Sequence, residues 1–316
     1  MLYIGLFFLS LFLTYGIKEY ALKKAILDMP NERSSHTIPT PRGGGLAIIL
    51  TFLVGVSIFH KEISENLLLA LFAVLPIVIV SLIDDVKSLS FKTRLIVQSF
   101  SILLALYFLG GVNAIDFGFF ELSGSWLNIV AFIIMIWLTN LYNFLDGIDG
   151  YAASQTIMVG IGLFALFGNT IGLLLIVSTL GFLIFNWHKA SIFMGDVGSA
   201  SLGFLLGVLV FSDTTAEWNY FWLMILSLFW FDATLTLVKR FRNKEKITEA
   251  HRKHAYQRLV QSGWSHARVT VGLILFNLLF IVLFGLLDKG LLLILDLVLL
   301  MFIWHWVERR KGFNDV

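Results

Sequence analysis

The sequence contains no cysteine, only four prolines and few charged residues, which make up 14% of its 316 positions. The absence of cysteine excludes disulfides and thiolate chemistry. The scarcity of charge accompanies 58% hydrophobic residues and a mean hydropathy of +0.86. This composition is typical of an integral membrane protein and leaves no room for a separate soluble domain.

Apolar runs of roughly 16 to 20 residues fill most of the chain, and a membrane-spanning helix needs about that many. We therefore predict an all-α, polytopic fold of about eleven transmembrane helices, forming one membrane-embedded domain over residues 1–316. The first run has neither a basic leading region nor a small-residue cleavage site, so we expect it to be retained as a span. The predicted spans are 1–17, 44–59, 67–83, 95–111, 126–139, 151–168, 170–185, 200–211, 220–238, 269–287 and 290–307.

Lysine and arginine are distributed unevenly between the two sides that this arrangement creates. Of the 23 Lys and Arg residues, all except Lys61 and Lys289 fall on one side. By the positive-inside rule that side is cytoplasmic, so the N-terminus lies outside and the C-terminus inside. The basic side comprises the C-terminus and the loops 18–43, 84–94, 140–150, 186–199 and 239–268.

The stretch from Asn140 to Gly150 is too polar for a core segment between strongly apolar runs. It carries amides and carboxylates at every third position, at Asn140, Asn143, Asp146 and Asp149. In a helical turn these side chains would form one polar stripe, and Gly147 and Gly150 indicate that the helix loosens there. A charged Asp in a lipid-facing helix costs about 2.5–3.5 kcal/mol, so the stripe must line water, an ion or a polar ligand.

Two further stretches place carboxylates at membrane exits. Asp84 and Asp85 adjoin, with Lys92 close behind, and two neighbouring carboxylates repel unless a cation or a proton lies between them. They suit Mg²⁺ binding, proton abstraction or both; the alternative is a helix cap with solvated charges. Asp196, which follows Asn186 in the next stretch, lies among glycines in a turn that fits a phosphate, with Asp196 on a metal.

Basic residues and histidines occupy the first and last of the cytoplasmic loops. In loop 18–43, Arg33, His36 and Arg42 could bind a lipid phosphate, or could simply meet anionic headgroups. Loop 239–268 offers charges and donors for a diphosphate, although a basic surface helix is the alternative for this loop taken alone. The residues concerned are His251, Arg252, His254 and Arg258. Asp232, inside an apolar span near its cytoplasmic end, is expected to face the same cavity.

Five loops on one membrane face thus contribute acids, amides or bases. Hard oxygen ligands dominate the centre, and cations and histidines lie at the edges. This is the chemistry of Mg²⁺ with a nucleotide diphosphate, for which Mn²⁺ is an alternative ion.

These motifs, in this order, resemble those of the polyprenyl-phosphate N-acetylhexosamine-1-phosphate transferase family (glycosyltransferase family 4 type). The family includes the phospho-N-acetylmuramoyl-pentapeptide translocase of peptidoglycan synthesis. The resemblance runs from about Asp28 to Gly263. Asp84-Asp85 matches the family's paired aspartates, and the stretch from Asn140 matches Asn-x-x-Asn-x-x-Asp-Gly-x-Asp-Gly. The segment 186–199 matches an Asn followed by Phe-Met-Gly-Asp-x-Gly-Ser.

The resemblance implies transfer of a sugar 1-phosphate from a UDP-N-acetylhexosamine to undecaprenyl phosphate, with release of UMP. It implies that Asp196 coordinates Mg²⁺ together with Asp85, and that Asp84 and Asp85 act near the lipid phosphate, one of them as a base. Asp146, Asp149 and Asn143 would shape the nucleotide and metal site. Direct attack by the lipid phosphate is favoured over prior attack by a carboxylate, because a phosphate monoester is already largely ionised near neutral pH.

The resemblance also implies an enzyme of the bacterial inner membrane whose active site faces the cytoplasm. Its partners would be membrane lipids and not nucleic acid. A homodimer is left open. The sequence His254-Ala-Tyr-Gln-Arg-Leu259 lacks the triple His of the muramoyl-pentapeptide enzyme and looks like members that initiate O-antigen or other surface polysaccharides. Their donors carry N-acetylfucosamine, N-acetylquinovosamine or N-acetylglucosamine. His188-Lys189 stands where Pro is common. Peptidoglycan or teichoic acid transferases and, outside the family, an ion-coupled transporter are the alternatives.

Overall fold

The computed structural model describes residues 1–30, 37–87, 89–246 and 251–316. Within these ranges almost all regular structure is helical. The helices are α1 (Leu2–Lys23), α2 (Gly45–Ile58), α3 (Glu65–Phe72), α4 (Leu75–Lys87), α5 (Phe91–Leu109), α6 (Leu127–Phe144), α7 (Tyr151–Phe167), α8 (Thr170–Asn186), α9 (Asp196–Val210), α10 (Ala216–Ile225), α11 (Ser227–Arg242), α12 (Ala255–Gln261), α13 (His266–Phe284) and α14 (Lys289–Arg310).

Two short antiparallel strand pairs accompany the helices. In the first, β1 (Leu27–Asp28) pairs with β2 (Thr40–Pro41). In the second, β3 (Ala114–Asp116) pairs with β4 (Glu121–Ser123). The chain is therefore all-α in class, as the sequence predicts.

Six of the helical segments are long and apolar enough to cross a membrane, and a seventh is formed if the bent pair α10 and α11 counts as one span. Four shorter apolar helices, α2, α7, α8 and α9, coincide with the predicted second, sixth, seventh and eighth spans. The multi-pass character is confirmed, whereas the number of eleven and the orientation stay predictions.

Helix α9 is the centre of the fold. Every residue from Val197 to Leu209 is buried, so this helix is enclosed by protein all round. Its small residues permit close approach of neighbouring helices: a Cβ added at Gly198 would meet Met194 and the Cα of Gly45 on α2. A Cβ at Gly203 would lie 2.6 Å from the carbonyl oxygen of Leu138 on α6.

The structure corrects several predicted boundaries. The third predicted span, 67–83, is divided into α3 and α4, and the ninth, 220–238, bends by 62° between α10 and α11. The carbonyl group of Ile225 at this break accepts a hydrogen bond of 2.6 Å from the Gln155 side chain, and Asn277 in turn donates to Gln155. Side chains from α7 and α13 thus provide the hydrogen bond for a backbone carbonyl group at the bend. In a low-dielectric environment such a group needs a partner within the protein.

Helices also extend further toward the polar face than expected. Asp84 and Asp85, predicted in a loop, belong to the last turn of α4, and Asp196 begins α9. The stripe predicted from Asn140 to Asp149 is helical only as far as Phe144, after which the chain leaves the helix. The glycine-containing segment 145–150 is therefore the loosened region that its composition predicts.

Replacing Gly45 with Ala tests the packing of α2 on α9. The new Cβ would lie 2.2 Å from the Cα of Gly198, where backbone must move, so we expect a loss of about 1–3 kcal/mol in stability. The measurement is the melting temperature of the purified protein in detergent. Gly16→Ala on α1 is the matched control, because its Cβ meets nothing within 4 Å and Ala favours the helix. Equal melting temperatures for the two variants would contradict the packing.

Candidate active site

Arg94 joins the ends of two helices that carry acids. It lies in the first turn of α5, which begins after Ser90, whose hydroxyl accepts a hydrogen bond from the Thr93 backbone. Its Nη1 atom lies 2.9 Å from Oδ2 of Asp84 and 2.8 Å from Oδ2 of Asp196. One guanidinium thus holds together two carboxylates that are 112 positions apart in sequence, at the end of α4 and the start of α9.

Asp85 binds the N-terminal end of α9 directly. Its two carboxylate oxygens accept hydrogen bonds from the backbone N–H groups of Asp196, at 3.2 Å, and Val197, at 3.3 Å. These N–H groups have no partner inside their own helix, and the helix dipole favours an anion there. Gly195, with φ +74°, makes the approach possible, since a Cβ would lie 2.8 Å from the Asp85 carboxylate.

Asp146 completes the group without a compensating cation. Among the described residues, no side chain or backbone donor contacts its carboxylate. Burial, together with the negative charges of Asp196, Asp85 and Asp149, raises its pKa well above the usual range. We call Asp84, Asp85, Asp146, Asp149 and Asp196 the acid cluster. Its surplus of negative charge falls on Asp146.

Asp149 has the opposite environment, because two histidines face one of its carboxylate oxygens. Oδ2 lies 2.9 Å from Nδ1 of His188 and 3.1 Å from Nδ1 of His266, and it accepts a hydrogen bond from the backbone of Ala190. Although burial alone would raise the pKa of Asp149, the hydrogen bonds from His266, His188 and Ala190 outweigh it and lower the pKa. Asp149 is therefore ionised across the physiological range.

The three predicted asparagines lie in different contacts. Asn143 accepts a hydrogen bond of 2.7 Å from the Ser199 hydroxyl, which places it beside the start of α9. Asn186 is buried and bridges the Gly150 N–H and the Ile192 carbonyl, so it fixes the segment after α8 to the acid cluster. Asn140 donates to Gln98 and ties α6 to α5 instead of facing the acids. Their roles in substrate binding stay predictions.

The basic residues of the last loop are engaged mostly within the protein. Arg258 is fully buried, donates to Glu308 at 2.7 Å and to the Lys311 carbonyl, and stacks over Trp304. His254 is buried, with Nδ1 at 3.7 Å from Asp232. Diphosphate binding by these residues stays a prediction, as it does for Arg252 and His251. Burial and the nearby charges of His254 and Arg240 lower the pKa of His251 to about 3, so that imidazole is neutral.

Asp232 holds the short helix α12 in place. Its Oδ1 accepts from the backbone N–H of Ala255 at 2.8 Å and its Oδ2 from that of Tyr256 at 3.4 Å, which are the first two residues of the helix. The Tyr256 hydroxyl then donates to the Phe144 carbonyl, and a Cβ at Gly147 would lie 2.2 Å from that hydroxyl oxygen. Through Tyr256, Asp232 therefore supports the segment that carries Asp146.

Of the remaining predicted residues, Lys92 is exposed in the first turn of α5, and Arg33 and His36 lie outside the described residues. Sequence reasoning did not select Arg94, His188 or His266 as site residues. Arg94 had a local signal, as a cation ten positions after Asp84. His266 had almost none, since it lies 117 positions from Asp149 and is recognisable only as a polar start to an apolar helix.

The donor chemistry of the acid cluster fits a hard dication. Its ligand atoms are carboxylate oxygens, and the uncompensated charge of Asp146 beside Asp85 and Asp196 is what a bound Mg²⁺ or Mn²⁺ would neutralise. Among the described residues, the one set of three side chains with possible ligand atoms within 4.8 Å of one another is a different one, namely Asp149, His188 and His266. There, however, both imidazoles already face the carboxylate of Asp149, at 2.9 and 3.1 Å.

Comparison with known proteins identifies the family of the chain. A sequence model described as glycosyl transferase family 4 matches residues 67–214. The chain is 30% identical, over 326 aligned positions, to the decaprenyl-phosphate N-acetylglucosaminephosphotransferase of Mycobacterium tuberculosis, covering 88% of this chain and 79% of that protein. It is 29% identical to the undecaprenyl-phosphate alpha-N-acetylglucosaminyl 1-phosphate transferase of Thermotoga maritima, covering 96% and 97%. The probable undecaprenyl-phosphate N-acetylglucosaminyl 1-phosphate transferase of Bacillus subtilis is also 29% identical, with 85% and 79% covered.

Replacing Asp146 with Asn should stabilise the metal-free protein at pH 8. A carboxyl whose pKa is raised by folding costs stability as the pH rises above its unfolded-state value near 4, because the folded protein must then either keep a proton that the unfolded chain has released or hold an unfavourable charge. The gain of the variant should therefore shrink as the pH falls toward about 4. We expect a rise of about 2–4 °C in melting temperature for each kcal/mol relieved, measured in EDTA across a pH series.

Asp84→Asn is the matched control for this experiment. Its carboxylate is paired with Arg94, so the same isosteric change removes a favourable interaction and should lower the melting temperature. If both variants shifted the melting temperature in the same direction at pH 8, the surplus charge would not reside on Asp146.

Proposed function

The chain belongs to glycosyl transferase family 4, and we propose that it transfers an N-acetylhexosamine 1-phosphate from a UDP-sugar to undecaprenyl phosphate. The relatives named above act on undecaprenyl or decaprenyl phosphate, which supports the lipid acceptor. The observation that carries the proposal is the acid cluster itself. It gathers five carboxylates from three separate parts of the chain, holds Asp84 and Asp196 on Arg94, and leaves Asp146 without a cation among the described residues.

In the proposed reaction an oxygen of the lipid phosphate attacks the β-phosphorus of the UDP-sugar. The bond from that phosphorus to the oxygen that bridges the two phosphates breaks, and UMP leaves with the bridging oxygen. The products are the lipid diphosphate sugar and UMP. Because the acceptor phosphate is already ionised near neutral pH, little proton abstraction is needed.

The hydrogen bonds within the acid cluster favour direct attack over a carboxylate nucleophile. Asp84 faces Arg94, and Asp85 accepts two hydrogen bonds from α9, so the lone pairs of both carboxylates are engaged. Carboxylates fixed in this way are not free to turn toward an incoming phosphorus atom. We propose that Asp84 and Asp85 position the acceptor phosphate indirectly, because they orient the arginine side chains that bind it.

Two guanidinium groups are available to bind phosphate at this place. Arg94 already spans Asp84 and Asp196. Arg42 lies close enough to Asp85 to interact with it electrostatically, and its Nε is buried with no hydrogen-bond partner in the described part of the chain. Arginine suits phosphate because its donors form a planar fork. A bound phosphate would satisfy the buried donor of Arg42.

A Mg²⁺ ion at Asp196 and Asp85, with Asp146 nearby, would neutralise the phosphoryl oxygens of the donor. Asp149 would remain outside that set, since His188 and His266 hold its carboxylate, and would instead fix the start of α7 against α13. Asn143 and Ser199, hydrogen-bonded to each other, line the same end of α9.

We further propose that the product initiates O-antigen or another surface polysaccharide, at the cytoplasmic face of the bacterial inner membrane. The support is the stretch from His254 to Leu259, in which Tyr256 and Gln257 stand where other members can have His. In this chain the two residues pack against Gly147. Peptidoglycan and teichoic acid pathways remain the alternatives within the family.

The test of the function is UMP release by the purified protein. Undecaprenyl phosphate, Mg²⁺ and a panel of UDP-linked N-acetylglucosamine, N-acetylquinovosamine and N-acetylfucosamine would be supplied, each with and without EDTA. We expect UMP release with one donor, dependent on both lipid and metal. An absence of release with every UDP-N-acetylhexosamine, from folded protein and intact lipid, would count against the transferase and favour an ion-coupled transporter.

Replacing Asp196 with Asn should abolish turnover while leaving the protein folded. The amide preserves the shape but removes the charge that the metal requires, and we expect a loss of at least about 100-fold in kcat. Asp213→Asn, in the exposed loop between α9 and α10, is the control for the same chemical change and should retain full rate. Normal turnover of the Asp196 variant at ordinary Mg²⁺ would remove this residue from the metal site.

A further inference from the structure

A groove between α13 and α14 lies apart from the acid cluster. It encloses a cavity of about 210 Å³ and is lined almost entirely by apolar and aromatic side chains, among them Phe276 and Trp304. Gly272 forms part of its wall, is exposed, and would meet nothing within 4 Å if it carried a Cβ. A cavity of 150 Å³ holds a benzene molecule, so this one admits a segment of a hydrocarbon chain.

Two arginines stand at the end of the groove where α13 begins and α14 ends. The guanidinium of Arg268 lies 4.0 Å from the ring centre of Trp264, and that of Arg310 lies 4.4 Å from Trp306 and 5.8 Å from Trp264. The two indoles are 5.4 Å apart and both line the groove. In the described part of the chain neither arginine forms an ion pair with a carboxylate. Two cations with no anionic partner therefore converge on one pair of tryptophans.

We propose that this groove is a binding site for an anionic phospholipid. One acyl chain would occupy the apolar cavity, and the phosphate would lie between Arg268 and Arg310. Tryptophan and arginine at the end of an apolar groove are the pairing expected at a membrane interface, where the ring is amphipathic and the cation meets the headgroup. The charge of the two arginines selects an anionic lipid over a zwitterionic one.

The acceptor lipid of the proposed reaction is a different molecule from the phospholipid proposed for the groove. Its phosphate must reach the acid cluster, where the cations are Arg94 and Arg42 and not the pair at the groove. Undecaprenyl phosphate and a phospholipid share a phosphate on a hydrocarbon chain, so the test must distinguish them.

The inner wall of the groove connects the proposed lipid site to helix α12. Asp232, Ala255 and Tyr256 form part of that wall, together with Tyr151, whose ring stacks on that of Tyr256 at 4.9 Å. These are the residues that hold α12 against Gly147. A chain in the groove packs behind them and opposes displacement of α12, so the bound lipid should stabilise the protein.

The test compares lipid binding by matched variants of the full chain. Purified protein in detergent would be titrated with phosphatidylglycerol, phosphatidylcholine or undecaprenyl phosphate, with bound lipid counted by native mass spectrometry and stability followed by melting temperature. The variants are the double substitution Arg268→Gln with Arg310→Gln, and Gly272→Leu, which places a side chain in the groove. Arg309→Gln and Gly16→Leu are the controls, since both residues are exposed and neither lines the groove.

We expect phosphatidylglycerol to bind and to raise the melting temperature more than phosphatidylcholine does. The double arginine variant should bind it about thirtyfold more weakly, which is about five- to sixfold for each cation removed. Gly272→Leu should reduce binding while keeping the wild-type melting temperature in the absence of lipid. The controls should match the wild-type protein.

Three outcomes would overturn the proposal. Equal binding of phosphatidylcholine would show that charge does not select the lipid. Unchanged phosphatidylglycerol binding in both groove variants would place the lipid elsewhere. Loss of undecaprenyl phosphate binding in those variants, with phosphatidylglycerol binding intact, would make the groove the acceptor site. None of these readouts requires catalysis, so they are independent of the proposed reaction.

Discussion

Mutual repulsion among carboxylates is the constraint on which the polar face of this protein depends. Five aspartates meet at one end of α9, a helix that is otherwise enclosed in apolar surroundings. Charges in such a place need partners, since the effective dielectric constant is low. The partners are specific: the guanidinium of Arg94, two backbone N–H groups of α9 and two imidazoles on Asp149. Among the described residues, Asp146 has no partner of this kind.

The close packing of backbone follows from the same constraint. To bring acids from α4, α9 and the segment 145–150 into contact, backbones must approach more closely than a methyl group allows. Gly45 and Gly198 bring α2 against α9, and Gly195 lets Asp85 reach the N–H groups there. Gly147 admits the Tyr256 hydroxyl. The glycines are thus required by the contacts of the site, and not only by turns.

Composition and motifs predict the membrane class, most helix positions and all five acids, because these depend on local hydropathy and on residue types at short spacing. They do not predict the partners of those acids. The contact between His266 and Asp149 joins residues 117 positions apart, and the role of Asp232 as a cap for α12 depends on a bend in another helix. Nor does hydropathy reveal that α4 continues through Asp84 or that α9 already begins at Asp196, since the charged ends lower the local average.

Helix α13 connects the polar face to the lipid-facing side of the molecule. It begins at His266, which holds Asp149, and continues through Gly272, which lines the groove beside α14. A helix moves largely as a unit over such a distance, because six residues span only about 9 Å at 1.5 Å per residue. Any displacement of α13 caused by an occupant of the groove therefore reaches the Asp149 carboxylate. Asp149 lies within electrostatic reach of Asp146, so α13 is the element through which the lipid proposed for the groove would influence the charge balance of the acid cluster.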